Sequence, residues 1–141
     1  MAAEPVFHLA FPVQDLAATK AFYVQVLGCA LGRDSDHWVD IDFFGHQLSA
    51  HLNTDDRSMA TSEVDGIQVP LRHFGVVLER RDWDALAARI RVAGVPFLIE
   101  PTLRYAGKPG EQGTFFILDP AGNGLEFKSF THAEDLFTDG L

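Results

Sequence analysis

Three side chains stand out for the chemistry they could share: His8, His73 and Glu126. Two imidazoles and one carboxylate suit a divalent metal that keeps open positions for other ligands. Imidazole supplies a neutral nitrogen donor. A single carboxylate offsets part of the metal charge and leaves enough to polarise a bound oxygen anion. Such a set fits one divalent ion, non-haem Fe(II) first, with Mn, Ni or Zn able to use the same donors. Glu126 lies in Leu125-Glu126-Phe127, and a buried, unpaired carboxylate there would be costly, so it wants a cation. Taken singly, each residue has a plainer reading. A glutamate can face solvent from a strand, and a lone histidine can satisfy itself on the backbone.

Their position in an internal repeat argues for the shared site. Phe7-His8-Leu9-Ala10 begins a strand-like run, and Asp15 opens a helical stretch that closes at Gly28. His73-Phe74-Gly75-Val76-Val77-Leu78 begins a similar run, and a helical stretch follows Asp82 and closes at Gly94. His8 to Gly28 spans 20 residues and His73 to Gly94 spans 21. Leu16, Tyr23, Val26 and Leu27 make one apolar helix face, and Trp83, Leu86, Ala87 and Ile90 make the other. Asp15 suits an N-cap, and the two glycines suit left-handed C-terminal caps. Asp42-Phe43-Phe44-Gly45 then precedes a strand over Gln47 to Leu52, and Asp119-Pro120-Ala121-Gly122 precedes a strand over Gly124 to Phe130.

Each half therefore reads β-α-β-β-β, which makes the fold class α+β, in a single domain over 1–141 with modules about 5–53 and 71–131. The polar segment Asn53 to Pro70 reads as the linker between them. Glu100 to Gly113, carrying Pro101, Gly107, Pro109, Gly110 and Gly113, reads as one long loop of the kind that covers sites.

Composition narrows the partners. The 141 residues suffice for one real core, and 47% hydrophobic with 22% charged residues is ordinary globular composition. A net charge of −9, with 11 Lys and Arg in no basic run, makes nucleic acid a poor partner. No apolar run approaches the ~20 residues needed to span a bilayer, so no membrane is expected. Met1-Ala2-Ala3-Glu4-Pro5 lacks a basic region of the signal-peptide kind, and one cysteine, Cys29, excludes an intrachain disulfide. A cytoplasmic location is the expectation. Twelve Phe are enough for a core with some left to line an apolar pocket.

The repeat, the paired His8 and His73, and Asp119-Pro120-x-Gly122-Asn123-x-Leu125-Glu126-Phe127 resemble the vicinal oxygen chelate superfamily, which includes glyoxalase I, bleomycin resistance proteins and extradiol dioxygenases. The resemblance covers residues 5 to 131. It implies two βαβββ modules whose sheets curl into a half-open barrel around a metal held by His8, His73 and Glu126. Within the superfamily the chain is most similar to small predicted extradiol-dioxygenase-like proteins. Phe7-His8-Leu9-Ala10-Phe11-Pro12-Val13, Phe44-Gly45-His46-Gln47 and Pro109-Gly110-Glu111-Gln112 carry that closer match.

The resemblance also implies roles for the last strand of the first half. In extradiol dioxygenases a histidine there is the acid–base residue, and in glyoxalases a residue there is a fourth ligand. His51 is the candidate for either. Aligning the two Asp-x-x-Gly turns instead puts Ser49 opposite Glu126, with His51 on the same strand face. One position departs from the extradiol pattern. A tyrosine ten residues before the ligand glutamate holds the catechol oxygen in those enzymes, and here the residue is Phe116. Tyr105, in the long loop, is the candidate substitute.

The reading that results is a metal-dependent, extradiol-type dioxygenase acting on a small molecule that chelates the metal through vicinal oxygens, with His51 moving protons. The alternatives are a glyoxalase-like isomerase or lyase with a redox-inert metal, and a bleomycin-resistance-type protein that sequesters a ligand without catalysis. Superfamily members commonly dimerise, so a homodimer is expected. A swapped site would take His8 from one chain and His73 with Glu126 from the other. His37, His46 and His132 lack a partner in the repeat, and His46, in a turn, reads as structural. Glu111 and Gln112 could reach the pocket but read first as solvated loop. Arg104 is open between binding an anionic substrate and an ordinary surface charge, and Cys29 reads as packed.

Overall fold

The computed structural model describes residues 4–55 and 60–137. The chain falls into two compact units. The first holds the opening module together with the turn Asp119–Ala121, and the second holds the remaining described residues from 60 onward.

The first module is β1 (His8–Val13), α1 (Leu16–Ala21), β2 (Ala30–Asp34), β3 (Trp38–Phe43) and β4 (His46–Leu52). The second module follows the same order: β7 (His73–Phe74), α2 (Arg80–Val92), β8 (Ile99–Arg104), β9 (Gln112–Leu118) and β10 (Gly124–Phe130). The two βαβββ modules expected from the repeat are present. Their sheets run β1-β4-β3-β2 and β7-β10-β9-β8, and in each the first strand lies parallel to the last while the remaining pairs are antiparallel.

Local chemistry fixes the element ends. Asp15 caps α1 by accepting the Ala18 amide at 3.0 Å. After Ala21 the helix widens into one π-helical turn, Phe22–Val26, and the wider turn lets the adjacent Phe22 and Tyr23 both be buried. Gly28 (φ 77°) then ends it in the left-handed region. α2 begins at Arg80, two residues before Asp82, and buries Trp83, Leu86, Ala87 and Ile90 as its periodicity requires. Phe44 (φ 54°) and Gly45 (φ 86°) turn β3 into β4, and Asp42 accepts the Gly45 amide at 2.9 Å.

Each sheet has one helix-facing side and one other side, as strand alternation requires. Phe11, Val13, Val39, Ile41, Phe43, Leu48 and Ala50 are buried on the helix side of the first, where Tyr23 meets Phe11 and Phe43 at 6.0 and 6.5 Å. In the second, Phe115, Ile117, Leu125 and Phe127 are fully buried beneath α2. There Trp83 Nε1 donates to the Phe127 carbonyl at 2.9 Å, and the indole occupies the notch left by Gly113, 3.0 Å from where a Cβ would sit.

Two sequence expectations need correction. Asn53 to Pro70 is more than a linker: Thr61–Val64 (β5) and Ile67–Pro70 (β6) pair as an antiparallel hairpin, while residues 56–59 lie outside the described residues. Asp65-Gly66 at its tip, both at positive φ, supplies the turn. The long loop from Glu100 to Gly113 is also shorter than expected, because β8 and β9 take up both ends. Pro101 is accommodated in β8 where its register to β9 shifts, between Ile99 and Thr102. The tail forms a 3-10 turn over Ala133–Phe137, and 138–141 lie outside the described residues.

Candidate metal centre

His73 and Glu126 come together on the face of the second sheet turned away from α2. β7 pairs with β10 through His73↔Gly124, which puts Glu126 one side-chain row beyond the histidine. His73 Nε2 lies 3.4 Å from Glu126 Oε1. Both side chains are oriented by further groups. His73 Nδ1 is 2.7 Å from the Pro70 carbonyl, which can only accept, so the hydrogen-bond network assigns the proton to Nδ1. That leaves Nε2 facing the carboxylate. Thr114 Oγ1 donates to Glu126 Oε2 at 2.6 Å, and Glu126 itself is only 9% exposed. The Phe116 ring, fully buried, stands edge-on to the imidazole at 5.0 Å.

This arrangement fits a cation. An imidazole nitrogen and a carboxylate oxygen facing each other are held together by a positive charge between them, whether a proton on Nε2 or a metal ion. A separation of 3.4 Å is compatible with two donors each ~2.0–2.2 Å from one ion. An Nδ1–H donated to a carbonyl and a hydrogen-bonded carboxylate are the usual outer supports of such ligands. The β5–β6 hairpin contributes directly, since Val69 is fully buried against Ile99 and Phe116 and Pro70 holds the imidazole.

Gly75 is dictated by the same crowding. A Cβ there would sit 1.5 Å from the Glu126 carbonyl oxygen, so the chain can pass the Glu126 backbone only without a side chain.

The other expected residues are described on their own elements. His8 is exposed on β1 in the first unit, opposite Gln47. Among the described residues no three His, Cys, Asp or Glu side chains are gathered into one cluster, so His73 and Glu126 form a two-donor part of the expected set. His51 is exposed, in register with Pro12 and Trp38. Ser49, not His51, occupies the row of the first sheet that corresponds to Glu126, counting from the His8↔Gln47 and His73↔Gly124 pairs. Tyr105 follows the end of β8 at φ 57°, 45% exposed, with the Arg104 guanidinium 5.1 Å over its ring. Arg104 also pairs with Asp65 at 3.2 Å. His46 is structural, its Nδ1 accepting the Phe7 amide at 3.0 Å. Glu111 ties its loop to Gly107 and Thr131, and the Thr131 hydroxyl holds its carboxyl below the ordinary range. Pro70 and Thr114 were not singled out by sequence reading, because their roles depend on register rather than on residue type.

The model of the glyoxalase/bleomycin resistance protein/dioxygenase superfamily matches residues 6–127. The chain belongs to that superfamily. A crystal structure of a glyoxalase/bleomycin resistance protein/dioxygenase from Alicyclobacillus acidocaldarius is 36% identical, with a TM-score of 0.82 over 94% of this chain and 96% of that one. Two more distant structures share the superfamily fold. The virulence protein STM3117 from Salmonella typhimurium is 22% identical, TM-score 0.64, over 93% of this chain and 100% of that one. The genomically encoded fosfomycin resistance protein FosX from Listeria monocytogenes is 15% identical, TM-score 0.66, over 95% and 98%. No curated protein sequence matches the chain. Members of the superfamily bind small molecules, commonly carry a divalent metal and often form dimers, and they include both metalloenzymes and non-enzymatic proteins. Among the described residues no helix is long and apolar enough to cross a membrane.

Proposed function

We propose that this chain is a metal-dependent enzyme that holds one divalent ion through His8, His73 and Glu126 and acts on a small substrate with neighbouring oxygens. The observation that carries this reading is the pairing of His73 Nε2 with Glu126 Oε1 at 3.4 Å, each side chain fixed from behind by Pro70 and Thr114. A bound divalent ion would polarise substrate oxygens and, as Fe(II), would add oxygen chemistry. The chain's own contribution is positional. The Pro70 carbonyl keeps Nε2 free to ligate. Thr114 aims the carboxylate. Phe116 and Val69 exclude water from one flank. His51 is the candidate to move a proton.

The dioxygenase reading is the first to test, with Fe(II) as the favoured ion. A second reading, a metal-dependent isomerase or lyase using a redox-inert ion, is favoured by Phe116. It lies in register with Glu126 and edge-on to His73, yet its phenyl ring has no hydroxyl to donate to a bound catechol oxygen.

Elemental analysis of anaerobically purified protein, followed by oxygen uptake on a catechol panel, tests both. One equivalent of iron with oxygen consumption supports the dioxygenase. One equivalent of Ni, Zn or Mn without oxygen uptake supports the second reading. Metal-free protein after metal-replete growth overturns both and leaves a sequestering module. We propose a homodimer as the working form, which sedimentation equilibrium checks.

A further inference from the structure

The cavity beside the metal pair holds a cation that the reading above does not use. His73, Gly75, Val77, Glu126 and Lys128 border a cavity of about 220 Å³. Lys128 lies two residues beyond Glu126 on β10, so both side chains leave the same face of the sheet, roughly 7 Å apart along the strand. Its backbone is fixed from both sides. The Lys128 amide donates to the Val76 carbonyl at 3.1 Å, and its carbonyl accepts from Leu78 at 2.8 Å. Thr114, in register with Lys128, spends its hydroxyl proton on Glu126. Among the described residues the ammonium makes no hydrogen bond or ion pair. In a chain of net charge −9, an unpaired cation held half-buried on a rigid strand beside two candidate ligands is poorly explained as a solvated surface charge.

We infer that Lys128 is a specificity-determining residue that binds an anionic group, a carboxylate or phosphoryl, carried by the substrate about one side-chain row from its chelating oxygens. The inference deepens the proposed function and rests on it for the position of the chelating end. The substrate class it names is a small acid bearing vicinal oxygens at one end and a second anionic group at the other. Lysine suits this task as a point charge on a flexible stem that can meet either anion.

The test uses two probes with the same dihydroxyphenyl end, 3,4-dihydroxyphenylacetate and 4-methylcatechol, titrated into the full chain both metal-loaded and metal-stripped. Wild-type protein should prefer the carboxylate-bearing probe by about tenfold, as one hydrogen bond to a charged group predicts. Lys128→Met should abolish that preference with affinity for 4-methylcatechol unchanged, and Lys128→Arg should restore most of it. Equal affinity for both probes in wild type, or a preference that survives Lys128→Met, overturns the inference. Metal content, measured separately on the same samples, reports on the proposed function. Loss of the preference in Lys128→Met with no metal bound would sustain the anion site while sinking the metal reading.

Discussion

The two modules share one topology and one register, yet they treat the carboxylate on the face turned away from the helix in opposite ways. In the first, Asp40 on β3 is satisfied from within the sheet. Ser49 Oγ donates to one oxygen at 2.6 Å, and Arg33 Nε and Gln47 Nε2 approach the other at 3.2 and 3.3 Å. The Ser49 hydroxyl is the main reason its carboxyl sits below the ordinary range; burial opposes this, and Arg33 and Gln47 reinforce it. In the second, the row of Ser49 holds Glu126 and the row of Asp40 holds Phe116. That carboxylate receives one hydroxyl proton and faces an imidazole nitrogen, so its remaining demand is for a cation. One shared layout thus serves as a closed polar cluster in one copy and, in the function proposed here, as an open coordination site in the other.

Six substitutions probe this contrast, in falling order of effect. Gly75→Ala drives a Cβ into the Glu126 carbonyl and should prevent folding or cost about 3 kcal/mol or more in chemical denaturation. Gly32→Ala, whose Cβ would lie 3.3 Å from the Asp40 Cβ, should cost far less. Equal losses would mean that the close strand crossing is not peculiar to the second module. Glu126→Gln should lower metal affinity at least 100-fold by equilibrium dialysis while the fold persists. Its counterpart Ser49→Ala should leave metal uptake intact but cost roughly 1–3 kcal/mol, because it removes the shortest donor to a buried carboxylate. Metal retention in Glu126→Gln would break the comparison outright.

Thr114→Val, removing only the support behind Glu126, should weaken metal binding about 10- to 100-fold. The smallest effect is on acid stability. The folded Asp40 carboxyl is held below its unfolded value, so its contribution is present above the ordinary aspartate range and is lost as pH falls toward the lowered value. Asp40→Asn should therefore flatten the acid limb of a stability–pH curve, and an unchanged limb would show that the cluster adds nothing.

The repeat made much of this legible. The matched strand histidines and helix-ending glycines gave both modules, and Leu125-Glu126-Phe127 marked a carboxylate inside an apolar strand. Three features escaped because their meaning is set by pairing. Pro70 looks like a turn residue until its carbonyl meets His73. Thr114 is one threonine among several until register brings it to Glu126. Lys128 looks like a surface charge until alternation turns it to the side of Glu126. The β5–β6 hairpin was missed although Val64-Asp65-Gly66-Ile67 carries its turn signal, since the surrounding polar residues read as linker. β8 was masked by Pro101, which the bulge against β9 tolerates.

The parallel seating of β7 against β10 has a consequence for biogenesis. His73 and Glu126 stand 53 positions apart in the chain and meet only because the last strand inserts beside the first. Closing so long a loop is entropically costly and is repaid only by the finished sheet. A nascent or truncated chain lacking its final strand therefore offers no paired donors to passing ions. If the pair holds an ion as proposed, metal capture should report that synthesis of the second module is complete, and the ion should in turn slow its unravelling.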